Sequence, residues 1–337
     1  MKREVAAATS GRAQGIPENL VYEVSRRPNN NHKKVFAPSH TSLRTPSGGR
    51  VPPGWTNIWI TTDPESPIQA IGRDSKGRRV YLYSARHMGL ATAAKFSRLK
   101  TFNKAYPSLL NKIKRDINNS EAALVLYLIA KTGFRIGSNV NTRANVKAFG
   151  ASTLRCSHIN VEGNRISFDF VGKKGIRVTK ILKDGFLARN IAGRCNVEAD
   201  GPIFRITDEG IRAYLKSISA GSAFTVKDFR TYLGTMTAFR KIKTMPIPQN
   251  GRELKRYKKE VGKTVAAELG NSPAIAQNSY IAPEVYCAWE FNTPLPLTKA
   301  GGPHTSFRNE FLECIHYDRE VSMETIDSDP DGRNDED

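Results

Sequence analysis

The sequence has few cysteines and no spacing that would gather them around a metal. Its four cysteines are spread over 337 residues, with no Cys-x-x-Cys pair and no histidines at zinc-ligand spacing. This distribution argues against a structural metal or a disulfide framework and is typical of proteins in a reducing compartment. We therefore expect no metal site.

Long apolar runs are also missing. No stretch of about 18 apolar residues, the length that suggests a spanning helix, occurs. No apolar core follows the charges at the N-terminus, as it would in a secretory leader. We expect a protein that neither enters a membrane nor is secreted.

Acidic residues are outnumbered by basic ones. The chain has 52 Lys and Arg against 32 Asp and Glu, a formal charge of +20. Asp318 to Asp337 alone holds nine acidic and two basic residues, so the remainder carries +27. Such a charge attracts polyanions, and nucleic acid is the first candidate. The charge alone does not exclude a basic protein that binds no nucleic acid. We predict that residues 317–337 form an acidic, disordered tail.

Sustained periodicity is absent from residues 1–53 except around Leu20–Tyr22, and the segment is rich in Asn, Ser, Pro, Gly and Arg. We predict a basic, partly irregular N-terminal extension there. Residues 54–86 contain β-prone runs separated by turn signals, and they predict a small antiparallel sheet. The runs are Ile58–Thr62, Ile68–Gly72 and Arg79–Tyr83.

The predicted sheet interleaves basic and aromatic side chains, a pattern that suits a surface lying on a DNA groove. The alternative is a solvated hairpin with its tyrosines packed inward, and the pattern alone does not decide. The exposed residues of the predicted sheet include Arg79, and its candidate DNA-binding residues are Arg73, Lys76, Arg78, Tyr81 and Tyr83.

Beyond Arg86 the pattern becomes helical, with apolar residues three and four apart. Residues 165–182 alternate instead, which predicts a β-hairpin with Lys173 and Lys174 at its exposed tip. The predicted helices are Ala91–Leu99, Ala105–Ile117, Ser120–Lys131, Glu209–Ser217, Thr225–Ala238 and Arg256–Leu269.

A short helix is predicted to carry Tyr280. Ser272 is suited to cap its N-terminus, Pro273 to occupy its first turn, and Pro283 to end the segment. Taken alone, these residues indicate an ordinary helix with a buried tyrosine.

Single cationic residues are equally uninformative, but their order is not. Arg135 follows a helix, a lysine hairpin comes next, and Lys227 and Arg230 then share one helical face. Asn271 and Tyr280 complete the series. In this order the chain resembles the short type IB DNA topoisomerases of bacteria and large DNA viruses, relatives of the poxvirus enzyme. The matching stretches are GRDSKGRRVY (72–81), KTGFRIGS (131–138), FGASTLRCSHI (149–159), FDFVGKKG (168–175), FTVKDFRTYLGT (224–235) and LGNSPAIAQNSYIAPEV (269–285).

The resemblance implies an α+β fold that closes around duplex DNA as a C-shaped clamp. Residues 54–86 would form the core of a small β-rich N-terminal domain. Residues 87–316 would form a larger, mainly helical catalytic domain with a β-hairpin, the fold shared by tyrosine recombinases and type IB topoisomerases. The protein would work as a monomer wherever its DNA is, in a bacterial cytoplasm or nucleoid, or in a viral replication compartment or virion.

The resemblance also implies a role for each site residue. Tyr280 matches the nucleophile that forms a 3′-phosphotyrosyl bond, and Arg135 and Arg230 match the arginines that hold the non-bridging oxygens. Lys173 matches the lysine that protonates the departing 5′ oxygen. Asn271 falls where poxvirus members have histidine and bacterial-type members have asparagine, which places the chain nearer the second group.

The chemistry fits these roles. Guanidinium groups keep their charge and can bind two oxygens at once, as a phosphodiester transition state requires. A cationic pocket also helps tyrosine, with an ordinary pKa of about 10, to ionise. Lys227 is expected to support the site electrostatically, and Lys174, the rival of Lys173 as acid, is expected to contact DNA.

The implied activity is relaxation of supercoiled duplex DNA by transient cleavage of one strand and religation. The covalent intermediate conserves the bond energy, so neither ATP nor a metal is expected to be required. Magnesium is expected at most to speed product release.

Two alternatives remain. Site-specific tyrosine recombinases share the chemistry, but they typically carry His-x-x-Arg where this chain has Lys227-x-x-Arg230, and they begin with a helical domain. A non-catalytic DNA-binding protein is the other alternative. We also hypothesise that the Tyr280 helix is poorly positioned until DNA is bound, and that residues 139–147 contact DNA.

Overall fold

The computed structural model describes residues 43–138, 146–195 and 200–290, and the backbone of 21–24 and 32–36. Its described residues fall into two compact units with a boundary between Lys95 and Phe96. Helices and antiparallel sheets occur together, which confirms the α+β class. The predicted tail 317–337 lies outside the described residues, and the division at 54–86 and 87–316 stays a prediction.

The first unit contains a five-stranded antiparallel sheet whose strands lie in chain order. Its last three strands confirm the predicted runs to within two residues at each end. The first two lie in the segment predicted to be partly irregular, and the first of them begins within Leu20–Tyr22, the one periodic stretch of that segment. The strands are β1 (Val21–Val24), β2 (His32–Phe36), β3 (Thr56–Thr61), β4 (Ile68–Arg73) and β5 (Arg79–Tyr83).

One face of this sheet packs on a small apolar core. Leu43 and Val51 join Ile58, Ile60 and Ala70 there, and none of the five is more than 1% exposed. The end of the predicted N-terminal extension is therefore part of the packed sheet unit. Local periodicity could not reveal this, because Leu43 and Val51 are buried by contacts with strands that follow later in the chain.

The second unit is mainly helical. The regions predicted as two helices, 91–99 and 105–117, form one continuous helix in the structure. Phe102 and Asn103, both fully buried, continue its inward-facing stripe across the predicted break. The first helix begins in the first unit and continues into the second, and the other helices lie in the second unit. The helices are α1 (Ala85–Asp116), α2 (Glu121–Thr132), α3 (Gly185–Ala192), α4 (Asp208–Ile218), α5 (Val226–Lys243), α6 (Gly251–Leu269), α7 (Pro273–Tyr280) and α8 (Cys287–Glu290).

The predicted hairpin lies in a three-stranded antiparallel sheet of β6 (Ile159–Glu162), β7 (Arg165–Val171) and β8 (Arg177–Lys183). Alternate residues of β7 point into the core, as predicted. A tight turn at Lys173–Gly175 joins β7 to β8, and Lys174 adopts a left-handed backbone there, with φ of 64°.

Two helix ends prepare the candidate site. Helix α2 runs through the core, with ten of its 12 residues buried, and ends at Gly133 with φ of 68°. Helix α6 ends in the same way at Gly270, with φ of 63°. A glycine in this conformation stops a helix and turns the chain. Arg135 follows the first turn, and Asn271 and Tyr280 follow the second.

Among the helices that the structure describes, none combines the length and apolar character that a bilayer crossing requires.

Candidate active site

Arg230 is the buried centre of the site. It lies on α5 with only 4% of its surface exposed. Its two terminal nitrogens donate hydrogen bonds to the carbonyl oxygens of Gly133 and of Leu269, the latter at 2.6 Å. These carbonyls belong to the ends of α2 and α6, which lack partners within their own helices. Arg230 thus joins the two helix ends that lead to the other site residues.

Tyr280 lies against this arginine. The guanidinium carbon of Arg230 is 4.9 Å from the centre of the Tyr280 ring. Burial raises the pKa of Tyr280, but the charges of Arg230, Arg135 and Lys227 oppose that effect and hold the pKa below its ordinary value. The neighbouring cations therefore make ionisation of the phenol easier than it is for an ordinary tyrosine.

The backbone around Tyr280 is held by α5. The Thr235 hydroxyl donates to the carbonyl oxygen of Tyr280 and accepts from the amide of Ala282, both at 3.1 Å. Ser272 caps the start of α7 by accepting from the amide of Ile275, as its sequence predicted. The hydrogen bonds of Thr235 and the contact with Arg230 position the tyrosine in this structure. The hypothesis that the Tyr280 helix is poorly positioned until DNA is bound stays a prediction.

Arg135 extends from the loop that follows α2. Its carbonyl oxygen accepts from the amide of Ala151 at 2.8 Å, so the loop packs on the segment that begins at Gly150. A Cβ atom at Gly150 would lie 2.6 Å from the Arg135 carbonyl oxygen, which shows how close the two segments are. The charge of Arg135 also contributes to the lowered pKa values of Arg230 and Tyr280. The structure therefore brings these three predicted residues together.

Burial also affects Arg230 itself. It lowers the pKa of this guanidinium to about 10, Tyr280 opposes the shift, and Arg135 adds to it. Arg230 nevertheless stays charged at neutral pH. The positive charges of Arg135 and Arg230 repel each other, and an anion bound between them would reduce that repulsion.

Lys173 is not gathered with this group. It lies at the exposed tip of the hairpin, and its side chain makes no hydrogen bond or ion pair with another residue that the structure describes. Lys174, beside it, is exposed as well. The predicted exposure of the tip is confirmed, and the choice between the two lysines stays a prediction.

Asn271 has an unusual side chain. Its backbone amide donates to the carbonyl of Ala266 at 3.1 Å, within the turn that ends α6. Both polar atoms of its amide group are buried without a hydrogen-bond partner in the described part of the chain. Buried polar groups of this kind cost about 1–3 kcal/mol each when they stay unsatisfied.

Two residues of the site region were not identified from the sequence. Lys180 on β8 is largely buried and donates hydrogen bonds to the ends of α2 and α6. A signal existed, because Val178, Lys180 and Leu182 occupy the inward-facing positions of the strand, where a lysine is unusual. Asp228 is 1% exposed and accepts two hydrogen bonds of 3.0 Å from Arg98 of α1. Its signal was the acid three residues after Thr225, a helix-capping pattern.

The sheet of the first unit presents the predicted aromatic surface. Tyr81 and Tyr83 lie on the face of β5 opposite to Val80, which faces the core. The rings of Tyr81 and Tyr83 stack at 6.3 Å, and Tyr83 stacks on His87 at 5.2 Å. The alternative with inward-facing tyrosines is therefore wrong.

The predicted basic residues of this sheet differ in their surroundings. Arg78 is engaged by Asp74, with nitrogen–oxygen distances of 2.8 and 2.6 Å, whereas Arg73 donates to the carbonyl of Gly77 at 2.7 Å. Lys76 is exposed at the turn between β4 and β5. Arg73 and Lys76 are thus better placed than Arg78 to meet an anion.

Of the predicted DNA-contacting segment 139–147, residues 139–145 lie outside the described residues. In the parts of the chain that the structure describes, no group of three or more His, Cys, Asp and Glu side chains could hold a metal ion.

Comparison with known proteins agrees with the motifs. Residues 84–284 match the family model described as the eukaryotic DNA topoisomerase I catalytic core. Residues 50–74 match the model of the bacterial DNA topoisomerase IB N-terminal domain.

Individual relatives come from viruses and plants. DNA topoisomerase 1B of Acanthamoeba polyphaga mimivirus is 33% identical over 254 residues, 69% of this chain and 75% of the relative. DNA topoisomerase 1B of Vaccinia virus (strain Copenhagen) is 25% identical over 239 residues, 63% of this chain and 69% of the relative. DNA topoisomerase 1 beta of Arabidopsis thaliana is 23% identical over 193 residues, 54% of this chain and 20% of the relative.

The mimivirus relative and the catalytic-core model each cover most of the chain, and the range matched by the model, residues 84–284, includes Arg135, Arg230 and Tyr280. The resemblance drawn from the motifs is thereby confirmed. The chain belongs to the type IB DNA topoisomerases, in the bacterial and viral part of that family, and is an enzyme that acts on DNA.

Proposed function

We propose that this topoisomerase relaxes supercoiled duplex DNA by cleaving and resealing one strand through a covalent bond to Tyr280. The observation that carries the proposal is the contact between Tyr280 and Arg230, with Arg135 close enough to lower the pKa of both. A tyrosine of lowered pKa between two arginines is suited to attack an anionic phosphodiester, because the cations both ionise the nucleophile and offset the negative charge of the target.

The proposed step exchanges one ester bond for another. The phenolate oxygen of Tyr280 bonds to phosphorus as the bond from phosphorus to the 5′ oxygen breaks. The leaving oxygen takes a proton from Lys173, and the 3′ end stays attached to the tyrosine. Arg135, Arg230 and Asn271 bind the non-bridging oxygens, while Lys227 stabilises the phenolate. Religation reverses the step, so no ATP is consumed.

The exposed position of Lys173 fits this role. A proton donor for the 5′ oxygen has to meet DNA directly, and the hairpin tip is accessible to it. Lys174, adjacent on the same turn, would contact the backbone nearby. No step of the proposal needs a metal ion, since the arginines already supply fixed positive charge.

We further propose that the aromatic surface of the first unit binds the duplex. Tyr81 and Tyr83 present stacked rings on a face that also carries Arg73, and Lys76 lies beside it at the turn. Cations of this kind position a protein on phosphates, and aromatic groups reach into a groove. In this arrangement residues 54–86 and 87–316 would form a monomeric C-shaped clamp around DNA, acting in the compartment that holds it.

Plasmid relaxation tests the central claim. The full-length protein is expected to relax a negatively supercoiled plasmid in EDTA without ATP. Denaturation during the reaction should trap the protein covalently attached to the 3′ end of the broken strand. Tyr280→Phe should lose relaxation and adduct while still retarding DNA. An adduct formed equally by Tyr280→Phe would exclude the assigned nucleophile. A reaction that requires a second, sequence-matched site would favour a recombinase, and DNA binding without any adduct would favour a non-catalytic protein.

A further inference from the structure

Lys180 is a buried cation whose hydrogen-bonding capacity is fully used within the protein. Its side chain is 14% exposed. Its ammonium nitrogen donates to the carbonyl of Thr132 at 2.9 Å, to the carbonyl of Glu268 at 2.9 Å and to the Glu268 carboxylate at 2.8 Å. An ammonium has three donors, so none is left for DNA. Any role in the reaction must therefore act through other residues.

The position of Lys180 in β8 is unusual for a lysine. It pairs in register with Phe168 of β7 and shares the inward-facing side of its strand with Val178. Burial lowers the pKa of Lys180, an effect that Glu268 opposes. A buried ammonium is costly unless its partners are well placed, and here all of them are.

The partners of Lys180 lie at the start of the segments that form the site. Thr132 is the last residue of α2, three positions before Arg135. Glu268 is the penultimate residue of α6, three positions before Asn271. Carbonyl groups at helix ends attract cations because the helix dipole is negative there. Lys180 therefore connects β8 to both helix ends.

Arg230 makes a parallel connection one residue further along each helix, at Gly133 and Leu269. The two cations differ in where they come from. Arg230 belongs to α5, which also holds the backbone of Tyr280 through Thr235. Lys180 belongs to the hairpin whose tip carries Lys173. Without Lys180 the helix ends would still be joined by Arg230, but β8 would lose the three hydrogen bonds that Lys180 makes to them. The ion pair of Lys131 in α2 with Asp184, the residue that follows β8, would remain.

We propose that Lys180 is a positioning residue that fixes the hairpin bearing Lys173 relative to Arg135 and Tyr280, and so aligns proton transfer to the leaving 5′ oxygen. This inference rests on the proposed function. Lys180 itself exchanges no proton. The 5′ oxygen keeps the electron pair of its breaking bond to phosphorus and accepts a proton from Lys173. A displacement of about 1 Å in such a group can cost about 100-fold in rate.

The test uses a leaving group that needs no proton. A duplex containing a mapped cleavage site is prepared with an oxygen, or with a sulfur, at the 5′ bridging position. A thiolate leaves without protonation, so misplacement of Lys173 affects only the oxygen substrate. Lys180→Met is expected to slow single-turnover cleavage of the oxygen duplex by about 10- to 100-fold. Its rate on the sulfur duplex should stay within about threefold of the unmutated protein.

Lys183→Met is the matched control. Lys183 lies on the same strand but points outward and is exposed, so both rates should match those of the unmutated protein. Lys180→Arg retains a cation with several donors and should cleave the oxygen duplex faster than Lys180→Met. Equal losses of Lys180→Met on the two duplexes, or no loss on either, would overturn the proposal.

Misfolding of the variant is checked separately. Circular dichroism and thermal unfolding compare Lys180→Met with the control. If Lys180→Met does not fold, Glu268→Gln replaces it, because this change removes only the charged partner and leaves both carbonyl bonds. Glu268→Gln should show a smaller loss with the same dependence on the leaving group, and equal loss on both duplexes would again overturn the proposal. Failure of the unmutated protein to form an adduct would instead refute the proposed function itself.

Discussion

Gly234 of α5 lies directly against the backbone of Tyr280. A Cβ atom at Gly234 would be 2.7 Å from the Tyr280 carbonyl oxygen and 3.0 Å from the Tyr280 Cβ. Both distances are shorter than ordinary van der Waals contacts. The position of the proposed nucleophile thus depends on the lack of a side chain at a residue that takes no part in the chemistry.

Gly234→Ala is therefore expected to slow cleavage about 10- to 100-fold, because the added methyl group displaces Tyr280 from Arg230. Alanine favours a helix over glycine by about 1 kcal/mol, so the loss would not reflect a weaker α5. Single-turnover adduct formation measures the effect. Gly251→Ala is the control, since a Cβ atom at Gly251 would meet nothing within 4 Å. Equal rates for the two variants would contradict the contact.

The charge of Lys227 is expected to influence the pH dependence of cleavage. Burial raises the pKa of Tyr280, and Arg230, Arg135 and Lys227 together lower it further than burial raises it. Lys227→Met removes one cation, so the pKa of Tyr280 should rise and the ascending limb of the pH–rate profile should move to higher pH. An unchanged limb, or one that moves to lower pH, would show that Lys227 does not act on the phenol.

The direction of the Tyr280 pKa shift can also be measured without catalysis. Ionisation of tyrosine changes its ultraviolet absorbance, and the difference between the unmutated protein and Tyr280→Phe isolates the contribution of Tyr280. That difference should appear at lower pH than for an ordinary tyrosine, and Lys227→Met should move it upward.

Asn271→Ala should slow cleavage much less than Arg230→Ala or Arg135→Ala. An amide can donate a hydrogen bond to a phosphate oxygen but adds no charge, so we expect about a 10-fold loss, against 100- to 1,000-fold or more for an arginine. Because the amide of Asn271 is buried without a partner, its removal should also leave stability unchanged or raise it by about 1 kcal/mol. Comparable rate losses for Asn271→Ala and the arginine variants would refute the assignment.

Arg98→Met should destabilise the second unit. It leaves the buried carboxylate of Asp228 without the two hydrogen bonds that Arg98 donates. Loss of one partner of a buried ion pair costs about 3–5 kcal/mol, and because Arg98 is 32% exposed we expect about 2 kcal/mol. Urea unfolding measures the difference. Arg212→Met, which removes an exposed pair with Asp208, should cost less than about 0.5 kcal/mol, and similar costs for both would contradict the expectation.

Much of the architecture could be predicted from local patterns. The three β-prone runs of residues 54–86 and the lysine hairpin follow from alternation and turn residues, and Ser272 with Pro273 indicated the start of α7. These features are encoded within a few neighbouring positions, which is why one sequence sufficed. The family was inferred from the order of the motifs, because no single motif indicated it.

The rest depends on contacts between distant residues. The length of α1 could not be predicted, because Asn103 is a polar residue that only tertiary packing buries. The two hydrogen bonds of Arg230 to helix ends, and the close approach of Gly234 to Tyr280, join positions 39 to 97 residues apart. Lys180 was visible as a lysine on an inward-facing position, but its partners could not be inferred from β8 alone.

The two glycine-ended helices have a consequence for how firmly the site would grip its substrate. Anion sites commonly use helix N-termini, whose dipoles attract negative charge, whereas α2 and α6 turn their C-terminal ends toward Arg230. Their carbonyl groups occupy part of its hydrogen-bonding capacity and oppose a resting phosphate. An intact phosphodiester would thus be bound only loosely, and the remaining attraction of the arginines would be realised as charge builds up during reaction. With this balance, the proposed cleavage and resealing would interconvert readily, and neither the cleaved nor the resealed DNA would be trapped on the enzyme.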